Sequence, residues 1–205
     1  YTARVRVGGA HFEKSLRVEA VVPNRLKIEL DNQEVVSSTD LALHSTLKSR
    51  WLHGAPAPGF AADVELRLAP KTTTFPKYSE YVFDNPLAQF SYEAAKVWEG
   101  ELDENGVAAV NAEIPAPEGA PGMLAGTLRT RVFEPSGAFS VEESAVTVSP
   151  HARYVGLKLP KGDASRGMLL TDIQQPASLV LVDEAGNPVP EGKLEVTLYK
   201  LDWRW

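Results

Sequence analysis

Cysteine is absent from the 205 residues. That excludes disulfides, thiolate nucleophiles, cysteine-containing zinc sites and any thioester built on a cysteine within this stretch. It does not fix the compartment, because many exported bacterial domains also lack cysteine. No apolar run approaches the roughly 20 residues of a membrane helix, and no charged-then-apolar leader opens the chain. An excess of positive charge is missing too. Twenty-one Lys and Arg stand against 27 Asp and Glu, a formal net charge of −6, and the two signs are interspersed, so no cationic face is offered to nucleic acid or anionic lipid. Histidine is scarce: His11, His44, His53 and His151 include no pair at helical i, i+4 spacing and no His-Glu-x-x-His string, so metal binding is not expected. There is no G-x-S-x-G elbow. Gly119, Gly122 and Gly126 follow Pro115-Ala116-Pro117 without the pattern of a phosphate loop, and read as a connection between strands. No catalytic, cofactor-binding or metal-binding residue is nominated; the chain is expected to be no enzyme and to need no cofactor.

Sustained helical periodicity is also lacking, and what fills the chain is alternation. Val5-Arg6-Val7, Leu26 to Leu30, Val64 to Leu68 and Leu194 to Leu198 each place apolar residues on one face of a half-buried strand. Between such runs stand Gly8-Gly9, Asn105-Gly106, Pro135-Ser136-Gly137 and Glu184-Ala185-Gly186-Asn187-Pro188, all turn chemistry. Leu87 to Val97 reads as a loop or single turn leading into a strand at Lys96 to Gly100. Short strands with turns at this density predict an all-β, antiparallel sandwich architecture.

The pattern also repeats. Arg4, Val5, Phe12, Val21 and Pro23 return 127 positions later as Arg131, Val132, Phe139, Val148 and Pro150. Pro58 and the strand Val64 to Leu68 return 130 positions later as Pro188 and Leu194 to Leu198. A period near that of one sandwich predicts three pieces: residues 1–22 as closing strands of one unit, 23–149 as a complete unit, and 150–205 as opening strands of a third. Pro23 and Pro150 mark the junctions, where a residue that cannot donate to a sheet ladder suits the crossover. Tyr1 and the terminal Trp203-Arg204-Trp205 suggest a cut through something longer. Since their edges need partners, the partial units are expected to be disordered, paired with each other, or completed by a neighbouring chain; pairing with each other, within one chain or by strand exchange or dimerisation between two, is favoured.

Several residues admit a structural and a functional reading. Trp51 to Phe60 is a tight corner whose indole packs on a core, or a ligand loop; the corner is favoured, and Trp51→Ala is then expected to cost about 3–5 kcal/mol. Phe75, Tyr78, Tyr81 and Phe83 pack a long excursion across the sheet in preference to stacking on sugars. Glu99, Glu101, Asp103 and Glu104 lead to an Asn-Gly turn; alternating carboxylates on one solvated strand face fit better than a calcium loop, which needs more ligands and a closing carboxylate.

Two blocks carry a resemblance. Ser49-Arg50-Trp51-Leu52-His53-Gly54-Ala55-Pro56-Ala57-Pro58-Gly59-Phe60, followed by a strand and then Phe75-Pro76-Lys77-Tyr78-Ser79-Glu80-Tyr81-Val82-Phe83, resembles the macroglobulin (MG) domains of bacterial alpha-2-macroglobulins. The ending Leu198-Tyr199-Lys200-Leu201-Asp202-Trp203-Arg204-Trp205 is similar to a tryptophan-rich strand of the next MG domain. The resemblance implies Ig-like or fibronectin-like sandwiches of macroglobulin type in tandem. It also implies a scaffold role in an exported, often lipid-anchored protein of the periplasm or cell surface that traps proteases through a bait region and, in many members, a thioester. Neither element lies in this segment. The implied partners are neighbouring MG domains and, through the whole parent, target proteases; no nucleic acid or membrane contact is implied. The competing expectation is an Ig-like stalk of a bacterial surface adhesin, for which Glu184 to Leu198 is the most compatible feature.

Overall fold

A computed structural model describes residues 2–15, 23–163, 165 and 167–198; Tyr1, Val21 and the tryptophan-rich ending beyond Leu198 lie outside them. The strands in chain order are β1 (Thr2–Val7), β2 (Ala10–Ser15), β3 (Leu26–Asn32), β4 (Val35–Val36), β5 (Ala42–Trp51) and β6 (Ala61–Pro70), then β7 (Ala95–Glu101), β8 (Val107–Glu113), β9 (Leu124–Phe133), β10 (Phe139–Val148), β11 (Arg153–Lys158) and β12 (Ser178–Asp183). The only helical turn among the described residues is a 3-10 turn at Pro76–Tyr78, and no helix there is long and apolar enough to cross a membrane.

Two sheets face each other. One has the order β4-β10-β9-β6-β7 and the other β3-β5-β8. All neighbours run antiparallel except β4, which pairs parallel with β10 through Thr147↔Val35 and Val148↔Val36. Alternation builds the core directly: Leu26 and Ile28 of β3, Leu43 and Leu47 of β5, and Val110 of β8 meet Val64, Leu66 and Leu68 of β6, Leu124, Leu128 and Val132 of β9, and Val146 and Val148 of β10. Gly126 lies on the same inner face, where a Cβ would stand 2.6 Å from Val146 Cγ1, so the missing side chain admits its neighbours.

Polar stitching closes the sandwich where β3 meets β10. Ser140 Oγ accepts from the amides of Arg25 and Leu26, both at 3.1 Å, and Asn24 exchanges two hydrogen bonds with the Val141 backbone. On the outer face Arg131 makes a bidentate pair with Asp63 across β9 and β6, both bonds 2.8 Å. Such fork geometry adds direction as well as energy, and the pairing sets a ladder register that hydrophobicity alone shares with its neighbours.

The turn between β7 and β8 is built by Asp103, whose carboxylate accepts the amides of Asn105 and Val107 at 2.8 Å each, while Gly106 takes φ 75°. Asp103 lies two residues beyond the end of β7, so it caps the turn and does not continue the acidic strand face of Glu99 and Glu101. That is a correction to the sequence reading. An Asx-turn carboxylate finds its partners in the local backbone, which the alternation pattern does not register.

Outside the sandwich, β1–β2 and β11–β12 form separate two-stranded antiparallel sheets. No strand pairing joins them to each other among the described residues. The hairpin β1–β2 turns at Gly8-Gly9, with Val7 opposite Ala10. Residues 191–198 form no strand, contrary to the expectation for Leu194 to Leu198; alternation makes a strand only when a partner ladder takes its amides and carbonyls.

Candidate functional site: the joint after Ser149

Lys71 to Ala94 leaves the sandwich after β6 and returns at β7. Its base is pinned: the Thr73 amide donates to the Asp84 carboxylate at 3.1 and 3.2 Å, Thr73 Oγ1 accepts from the Met123 amide at 2.8 Å, and the Asn85 amide donates to the Pro121 carbonyl at 2.7 Å. Gly122 sits beside Asp84 and Thr73 where a Cβ would collide.

The tip builds a second core. Phe75 and Phe83, 4% and 7% exposed, bury with Tyr154 of β11 and Val182 of β12. Phe75 meets Phe83 edge-on at 4.7 Å and Tyr154 at 5.7 Å. Tyr78 and Tyr81 flank them, 5.7 Å apart and perpendicular. The aromatic cluster therefore packs on the segment after Ser149 and not across its own sheet, because the excursion is long enough to carry its rings past the sandwich edge to β11 and β12.

Other contacts surround this core. Val82 and Leu157 exchange two backbone hydrogen bonds of 2.9 Å. Ser149 Oγ lies 2.7 Å from Tyr154 Oη, and the His151 ring meets the Ala120 carbonyl at 3.2 Å. Ser37 Oγ donates to the Glu184 carboxylate at 2.6 Å. Lys158 pairs with Glu80 at 2.5 Å, an exposed contact that holds the Glu80 carboxyl below its ordinary pKa through that hydrogen bond. Burial pushes the Tyr154 phenol upward, and the bond to Ser149 offsets part of the shift.

An open groove of about 730 Å³ runs along the joint, lined by Val82, Pro86, Pro121, Val155, Leu157 and Leu159 among others. Its apolar side continues the face of β11 that alternates away from the joint. The internal repeat explains that face. Leu26 pairs with Trp51 where β3 begins and β5 ends, as Arg153 pairs with Asp183 where β11 begins and β12 ends. After each pair comes the same turn: Trp51 N donates to Ala55 O at 2.7 Å and Gly54 N to Trp51 O at 2.8 Å, while Asp183 N donates to Asn187 O at 2.9 Å and Gly186 N to Asp183 O at 3.0 Å. Isolated bridges follow at Arg50↔Pro56 and Val182↔Pro188. Pro188 thus corresponds to Pro56 and not to Pro58; the two prolines are interchangeable as letters, and hydrogen bonding separates them. Val155 and Leu179, both exposed, then occupy the places of Ile28 and Leu47, which β6 and β9 help to cover in the sandwich.

The remaining residues weighed in the sequence have structural surroundings. Trp51 is half-buried, 5.9 Å edge-on to Phe60, 6.2 Å from His53 in a stacked pair, with Arg25 5.3 Å over its ring. It covers the end of the core and is not its centre, so the expected cost of Trp51→Ala falls to about 1–2 kcal/mol, a fraction of that of a fully enclosed ring; urea unfolding measures it. His11 is exposed on β2. His44 faces Asn111 at 3.0 Å and Asp40 at 3.2 Å on the outer sheet face. The bond to Asn111 and then that to Asp40 raise its pKa above the ordinary imidazole value. A raised folded pKa contributes stability that is present below the unfolded value near pH ~6.5 and is lost as pH rises through the folded value. An NMR titration is expected to place the His44 midpoint above about 6.5, and Asp40→Asn to bring it down. Among the described residues no group of three or more His, Asp or Glu is placed to hold a metal.

Two face-to-face sheets packed about one apolar core define an all-β, Ig-like sandwich. Residues 24–150 match the family of the bacterial alpha-2-macroglobulin MG5 domain, and the chain belongs to that family. Solved structures agree in fold. Salmonella alpha-2-macroglobulin reacted with methylamine aligns at TM-score 0.54 and 19% identity, over 91% of this chain and 13% of that one. The native conformation of Escherichia coli alpha-2-macroglobulin aligns at 0.56 and 17%, over 90% and 12%, and the trypsin-activated E. coli protein at 0.50 and 18%, over 77% and 11%. The chain thus spans roughly an eighth of the length of these structures. No curated protein matches it.

Proposed function

We propose that the chain is a scaffold segment of a bacterial alpha-2-macroglobulin-like protein that traps proteases in the periplasm, and that it carries no catalysis itself. The division is the one drawn from the repeat: 1–22 closing one unit, 23–149 a whole unit, 150–205 opening the next. The observation that carries this reading is the packed joint. Consecutive units are fixed to one another through a buried aromatic core, which is what a framework requires and what a freely bending stalk does not. Neighbouring MG domains of the same chain are its direct partners, and proteases are met through the parent.

The test uses trypsin and porcine elastase, the proteases that activate the E. coli relatives. The full parent protein, incubated with either, is expected to retain the protease on size-exclusion chromatography, while residues 1–205 alone retain none. A parent that holds neither protease but binds glycans on an array would support the adhesin stalk and overturn the scaffold reading.

A further inference from the structure

We propose that the 71–94 excursion is a latch that locks the sandwich and the β11–β12 unit into one rigid body, so that the joint transmits orientation instead of bending. The inference rests on the division into successive units. It does not depend on what the parent traps.

Units joined by a short linker move relative to each other by default, unless their interface is large and apolar. The linker here is short, Ser149 to Ala152, and three separate anchors span it. The first is the aromatic core of Phe75, Phe83, Tyr154 and Val182 with the paired Val82–Leu157 backbone. The second is Glu184, reaching back to Ser37 Oγ at 2.6 Å and to the Ser38 amide at 3.4 Å. The third is the linker itself, through Ser149 with Tyr154 and His151 with Ala120. One anchor leaves a pivot and two leave an axis; three fix the orientation. The surfaces of β11 and of the turn after β12 are also cut to the rings. A Cβ on Gly156 would lie 2.6 Å from Phe83 Cε1 and 2.8 Å from Val180 Cγ1, and one on Gly186 would lie 2.7 Å from Phe75 Cδ1. Close-packed surfaces of this kind resist continuous sliding, since each displacement drives side chains into backbone. The excursion is thus a dedicated device: its base is tied to the sandwich by Thr73 through Met123 and by Asn85 through Pro121, and its tip belongs to the following unit.

The absence of cysteine allows spin labels at Glu143→Cys on β10 and Ser178→Cys on β12, both exposed, for pulsed electron–electron distance measurement on the full chain. One narrow distance distribution is expected. Phe83→Ala, which leaves the backbone unaltered, and Gly156→Val, which drives a side chain into Phe83, should each broaden it at least twofold. A broad or multiple distribution in the otherwise unaltered chain overturns the latch, as does a width that neither variant changes. Amide exchange separates the two ways of failing. Unprotected amides at 153–158 and 178–183 mean that no second unit is folded, which removes the division and the latch with it; protected amides with a broad distance remove the latch alone.

Discussion

Leu128→Ala is expected to lower the unfolding free energy of the sandwich by about 2–5 kcal/mol. Leu128 is fully buried in β9, the strand flanked by β6 and β10 in the larger sheet, with Leu66 opposite it on one side and Ser144 on the other. Removing three carbons there forfeits transfer energy and leaves a void. Collapse of the void is hindered because Gly126, the next inner position along β9, has no side chain to contribute, and the ladders on both sides fix the backbone. Against a typical total of about 5–15 kcal/mol, that loss moves the urea midpoint strongly while leaving the slope unchanged. A loss below about 1 kcal/mol would mean that β9 is not the middle of a packed two-layer core.

Phe83→Ala is expected to be as costly, about 3–5 kcal/mol for a buried ring, and to act in a different place. Phe83 belongs to the second core and not to the sandwich core, so the damage is confined to the joint and limited by the local stability there. Exchange protection should fall in β11 and β12 and persist in β6, β9 and β10. Phe83→Leu, which refills most of the volume, should restore most of it. Equal loss of protection throughout the chain would contradict the separation into two cores.

Much of this architecture is legible in the residues because a strand buried on one face has little freedom in its pattern. Leu26-Lys27-Ile28-Glu29-Leu30 and Val64-Glu65-Leu66-Arg67-Leu68 read as strands and are strands, and the turns at Gly8-Gly9, Asn105-Gly106 and Pro135-Ser136-Gly137 fall between strands in each case. The same rule shows where reading ends. Leu194 to Leu198 alternates as well as any of them and forms no ladder, since pairing depends on a neighbour that the segment does not itself encode. The aromatic run from Phe75 to Phe83 announces burial but not against what: Tyr154 lies 71 residues beyond Phe83, and only the path of the excursion brings them together. Trp51 reads as a core residue because large aromatics beside Gly-Ala-Pro turns usually pack, yet its place at the last position of β5 leaves one side open. The pairing of Asp63 with Arg131 escapes a reading based on apolar alternation, although Asp63, Glu65, Arg129 and Arg131 stand at alternate positions of two strands that prove to be neighbours; complementary charge at matching spacing is the available signal. Ser45, Ser49 and Thr130 are buried at inner-face positions, where an apolar pattern alone would place hydrophobic side chains.

Cross-strand proton contacts in solution test the repeat most directly. In both opening pairs the backbone groups of the second strand's last residues point away from the first: Ser49 and Trp51 donate to Gly106 and Ala55, and Asp183 to Asn187. Leu26/Trp51 and Arg153/Asp183 are therefore non-hydrogen-bonded pairs, in which opposed α-protons approach most closely. Strong Hα–Hα contacts are expected at Leu26/Trp51, Ile28/Ser49, Arg153/Asp183 and Val155/Leu181. Contacts at the first two and none at the last two, or contacts shifted by one residue in β12, would mean that no second unit opens after Ser149.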